Sequence, residues 1–182
     1  MYEQLIERIK TFTKSKSSEE LLLPVSPDVV AQTTKQLGFS LPILLSECYL
    51  QLANGGFGPG YGVMGLAGGA TSDFGDLLET FQQLKSDHEL EGEIWPSGLL
   101  PFCEWGGNIF SCVDCHDPRH LVTTFDAGAL TPQNYSITEF FELWLNDIDL
   151  LDFSLPTTGD VEITNPFTGE KIRISKHKPD DQ

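Results

Sequence analysis

The stretch Leu99-Leu100-Pro101-Phe102-Cys103-Glu104-Trp105-Gly106-Gly107-Asn108-Ile109-Phe110-Ser111-Cys112-Val113-Asp114 decides the fold. Its two apolar segments, 99–104 and 108–114, read as short strands, and Gly106-Gly107 supplies the tight turn between them. Further strand candidates lie at 61–66 and 121–125, with a glycine-rich break over 55–62.

Around this cluster the periodicity changes to that of helices. Residues 2–12 set Tyr2, Leu5, Ile6, Ile9 and Phe12 near one stripe. Ser26-Pro27-Asp28 offers an N-cap, a first-turn proline and an acid at the positive helix end, and Leu37-Gly38 closes that helix. A third helix is expected from Ser40, with Pro42 in its first turn. It buries Leu41, Leu44, Leu45, Cys48 and Leu52 and stops at Asn54-Gly55-Gly56. A fourth, over about 73–86, turns Phe74, Leu77, Leu78, Phe81 and Leu84 inward. The fifth opens on the capping box Ser136-Ile137-Thr138-Glu139, and Phe140, Phe141, Trp144, Leu145 and Ile148 follow at helical spacing. Helices, a cluster of strands and a closing helix, with no recurring strand–helix alternation, specify an α+β fold. Its central sheet is mostly antiparallel, with helices packed on it. One domain over 1–152 is expected. The extension 153–182 reads as a hinge followed by a C-terminal β-hairpin over 160–175, two alternating strands around Asn165-Pro166-Phe167-Thr168-Gly169.

The chain has 182 residues, 40% of them hydrophobic, enough for a proper core, so wholesale disorder is excluded. No apolar run reaches the ~18 residues of a membrane helix. The first ten residues carry charges where an export signal is apolar, so a cytoplasmic protein with reduced cysteines is expected. The net charge is −16, concentrated in 21–170, where 21 carboxylates face only Lys35, Lys85 and Arg119. That balance argues against nucleic-acid binding, which needs cations to displace counterions, and favours a basic protein partner. Plain solubility explains the same charge.

Catalytic patterns are weak. Cys112-Val113-Asp114-Cys115-His116, with Cys103 and His120 near it, is the best candidate for a zinc site. Yet side chains three apart in a strand point to opposite faces, and no Gly or Pro lies between the cysteines to form a metal-binding knuckle. No metal and no cofactor are therefore expected. None of the four histidines sits in a nucleophile motif, and the glycines of 55–60 follow a helix and lack the Lys of a phosphate loop. No catalytic residue is assigned. Asp87, Glu89, Glu91 and Glu93 recur with period two, as do Asp147 and Asp149. Together with Asp152 they form the candidate binding face, weighed against a merely solvated acidic face. Trp95 is the candidate apolar anchor beside the first group, weighed against an ordinary core tryptophan.

The ordered motifs resemble a known family. Leu41-Pro42 opens a helix that ends in Asn54-Gly55-Gly56. Leu100-Pro101-Phe102 follows, then Trp105-Gly106-Gly107-Asn108 and Asp114 at the far end of a strand, and last the Ser-x-x-Glu-Phe helix. Over about 26–150 this is similar to the SUKH superfamily, of Smi/Knr type. The resemblance implies an α+β binding protein rather than an enzyme. It implies either an immunity protein that neutralises a toxin, often a nuclease, or a regulator acting through an endogenous partner. Partner-contacting residues do not transfer with it. An enzyme or metal protein centred on Cys112 and Cys115 is the third alternative.

Overall fold

The computed structural model describes residues 2–16, 20–148, 150–151, 159–164 and 171–176. Along the chain come α1 (Glu3–Lys16), α2 (Pro27–Leu37), α3 (Ile43–Gln51), β1 (Gly62–Val63), α4 (Leu77–Leu90), β2 (Leu99–Gly106), β3 (Ile109–Asp114), β4 (Leu121–Asp126), β5 (Ala129–Ser136), α5 (Ile137–Leu145), β6 (Gly159–Thr164) and β7 (Lys171–Lys176).

The first five strands form one sheet in the order β1-β2-β3-β4-β5, each pair antiparallel. The α+β reading holds. Gly106 pairs with Ile109, so Gly107 and Asn108 make a two-residue turn with φ of 60° and 64°. Two consecutive positive φ values match the twist of the flanking strands, and glycine and asparagine tolerate them best.

Several boundaries differ from the sequence reading. The fourth helix starts at Leu77, because the Asp76 carboxylate accepts the backbone N–H groups of Leu78 and Glu79 and so caps it. Phe74 therefore precedes the helix, and its ring packs on Phe110 of β3. The third helix begins at Ile43, with Pro42 in the capping position rather than inside the first turn. The 61–66 strand shrinks to two residues. An additional strand, β5, lies where none was expected. Its residues Thr131-Pro132-Gln133-Asn134 lack apolar alternation, and a proline cannot donate to a ladder, so it runs at the sheet edge.

The core forms where α3, α5 and the 57–66 loop meet the sheet. Tyr49, Phe57, Phe102, Phe110, Phe140 and Phe141 are fully buried. Phe140 stands edge-on to Phe102 at 5.0 Å between ring centres, as aromatic quadrupoles prefer. α1 is clamped on α5 by Arg8, whose guanidinium donates to both carboxylate oxygens of Glu142 at 2.7 and 2.8 Å. Phe12 adds an edge-to-face contact with Trp144.

β6 and β7 pair as the expected antiparallel hairpin, with Val161 opposite Ile174 and Ile163 opposite Ile172. The hairpin turn lies outside the described residues, and so does the expected hinge over 152–159 except for Gly159, which opens β6.

Candidate functional site

The motif residues of the sequence serve the scaffold. Asn54 is buried; its Oδ1 accepts the Leu66 N–H, and its Nδ2 donates to the carbonyls of Leu66 and Ala67. This corrects the reading of Asn54-Gly55-Gly56 as a helix stop. The helix has already ended at Gln51, and the triplet fastens the 63–70 loop. A Cβ on Gly55 would lie 2.6 Å from the Gly65 nitrogen and 2.7 Å from the Val63 carbonyl oxygen, and φ is +86°, so only glycine fits. Gly56 donates its N–H to Val63. In the sheet, Pro101 opposes Cys112 where the β2 register shifts, and Trp105 Nε1 donates to Ser111 Oγ at 2.9 Å. A side chain on Gly106 would strike the Tyr61 ring. Asp114 ends β3, and its carboxylate accepts the N–H groups of His116 and Asp117, shaping the 114–117 turn.

The cysteines are free thiols. Cys103 and Cys112 are buried, and burial pushes both far above the ordinary thiol range; Cys115 is pushed up to about 12, by burial and then by Asp114. Among the described residues no cluster of three or more His, Cys, Asp or Glu side chains is arranged to hold a metal ion. Near Trp105, Glu104 is buried in β2. Burial and then the Asp73 carboxylate raise its pKa above the ordinary value, opposed by the Asp73 backbone N–H bonded to it.

The predicted acidic face divides. Asp87 and Glu89 stand on the last turns of α4, and Glu91 and Glu93 follow it, all four exposed. Gln83 donates to Asp87, and Lys85 lies 3.9 Å from Glu89. Asp147 belongs to another part of the molecule, after α5, where Lys16 of α1 pairs with it at 2.8 Å. Asp149 and Asp152 lie outside the described residues. Trp95 corrects the anchor reading: it is 4% exposed, its Nε1 donates to the Leu99 carbonyl, and it packs on His88 and Phe125. Its large ring is worth more inside the core than at a rim.

What the sequence reading missed are Leu90 and Ile94, 82% and 85% exposed among the same carboxylates. The signal was present, because the acids at every second position leave these apolar residues between them. Exposed apolar side chains rimmed by charged ones make the end of α4 a candidate contact surface.

Residues 24–147 match the model of the SMI1 / KNR4 family (SUKH-1). The chain belongs to that family. No curated protein matches this SUKH-1 chain. The match spans α2 through α5, so the five-stranded sheet and the α4 surface lie inside the family region, while α1 and the β6–β7 hairpin lie outside it. No helix among the described residues of the SUKH-1 protein is long and apolar enough to cross a membrane.

Proposed function

We propose that this SUKH-1 protein is a non-enzymatic binding protein that neutralises a toxin by docking on it. The observation that carries the reading is the end of α4, where Leu90 and Ile94 stand exposed among Asp87, Glu89, Glu91 and Glu93. Nucleases expose cationic clefts, and an acidic face of preformed shape competes with nucleic acid for such a cleft, blocking substrate entry. The family membership and the net charge of −16 support the same reading. Cytoplasmic residence follows from a nuclease target, since the protein must meet the toxin where nucleic acid is.

Capture by the tagged protein from extracts of its own cells, followed by a toxicity assay, is the test. The captured partner is expected to be a domain whose expression stops growth, and co-expression of this protein is expected to restore it. Capture of a non-toxic endogenous protein, with no toxic partner found, overturns the immunity reading in favour of a regulatory scaffold.

A further inference from the structure

Between the C-terminal half of α4 and the tips of two hairpins lies an open cleft of about 470 Å³. Asp87, His88, Leu90 and Glu91 line it from α4 and its cap; Asn108 lines it from the β2–β3 turn, and Phe125 and Gly128 from β4 and the β4–β5 turn. Glu91 bends over the β4–β5 turn, its Oε2 lying 3.6 Å from where a Cβ on Gly128 would stand.

Three features combine there. Two carboxylates face the cleft, and no Lys or Arg lines it among the described residues; the neighbouring Lys85 is drawn to Glu89 on the other side. The floor is aromatic, with the His88 ring 6.5 Å from Phe125 between centres. His88 itself is only 7% exposed, and its buried Nδ1 has no hydrogen-bond partner, a polar atom that the fold leaves unsatisfied. Leu90 stands at the mouth as an apolar rim.

We propose that the cleft is a socket for an arginine side chain presented by the protein partner. The planar guanidinium suits this setting because it pairs with carboxylates at fixed geometry and also lies well on aromatic faces. Its methylene stem covers apolar surface such as Leu90 while the charged head reaches Asp87 and Glu91. A neutral apolar side chain would strand both carboxylates, and an acidic one would be repelled. The assignment rests on the binding reading above and locates its central contact.

The test uses the full chain, labelled with 15N and titrated with N-acetyl-L-arginine amide. Saturable shifts are expected at the amides of 87–91, 108 and 127–128. The double variant Asp87→Asn, Glu91→Gln should weaken them about tenfold or more, both positions being exposed enough to accept the change without unfolding. The charge-matched control Glu7→Gln, Glu20→Gln should leave them unaltered. Shifts scattered over the acidic surface, or equal in the two double variants, overturn the socket. Because the probe needs no toxin, the two proposals fail separately. A toxin still neutralised by Asp87→Asn, Glu91→Gln with unchanged affinity overturns the socket alone. A saturable socket in a protein that relieves no toxicity overturns the immunity reading alone.

Discussion

Asn54 and Leu66 exchange two hydrogen bonds: Oδ1 of the asparagine accepts the Leu66 N–H at 2.8 Å, and Nδ2 donates to the Leu66 carbonyl at 3.3 Å. One buried side chain thus bonds both polar groups of Leu66, whose carbonyl also accepts the Gly69 N–H at 2.8 Å. The loop it fastens runs back to the sheet, where Met64 N–H donates to the Phe102 carbonyl.

Asn54→Ala should therefore destabilise the protein by about 2–3 kcal/mol, since it strands the buried Leu66 N–H and takes the amide donor away from the Leu66 and Ala67 carbonyls, of which Leu66 keeps its bond from Gly69. Asn54→Asp should cost at least as much, because a carboxylate sets acceptor against acceptor at Leu66 and Ala67. Urea unfolding of the two variants checks the order; an aspartate as stable as wild type would mean that the amide's donors contribute nothing.

The Arg8–Glu142 clamp is the described ion pair with the best shielding, its side chains 16% and 13% exposed. Arg8→Ala and Glu142→Ala are each expected to cost about 1–3 kcal/mol, less than a fully buried pair because water still reaches it. In a double-mutant cycle the second substitution should cost less than the first. Simple additivity would show that the two groups contribute only their packing.

Glu104 gives a pH dependence with a definite sign. Its pKa is raised on folding, so the native state holds its proton more tightly than the unfolded chain. Stability from this group is then present below the ordinary carboxylate value, 4.5, and is lost as pH rises through the raised value. Glu104→Gln, which does not titrate, should gain on the wild type from pH 4.5 to pH 7. Melting curves at both pH values measure it, and a constant difference would contradict the assignment.

The hairpin β6–β7 should support the rest of the chain. Two strands alone are marginal in water, and β7 lies beside β5, the strand at the sheet edge. Deletion of 156–182 is expected to lower the melting temperature by several degrees. Unchanged melting would assign the hairpin to partner binding instead.

Association with a basic partner should be steered by charge at long range, which salt screens within about 8 Å at physiological ionic strength. The association rate is expected to fall roughly tenfold or more between low and high salt. Changing Glu89, Glu91 and Glu93 to Gln should flatten that dependence. A rate indifferent to both would place the contact on another face.

Local chemistry made much of this architecture legible. Capping at Ser136 and Glu139, helical spacing through Phe140 and Phe141, and Gly106-Gly107 before Ile109 act over a few residues, so the chain declares them by itself. Order of elements then suffices for the α+β class. What stayed hidden depends on neighbours distant in sequence. β5 is a strand because β4 offers it a ladder, not because Thr131-Pro132-Gln133 favours one. Asn54 looked like a helix terminator until the loop at 66 came within reach of its amide. Which of the two places open to Trp95, surface anchor or core, it would take was hidden for the same reason, as was the exposure of Leu90. Residue type cannot say which apolar side chain the folded chain will cover, and only the packing of α4 against the sheet buried the tryptophan and left the leucine in water beside its carboxylates.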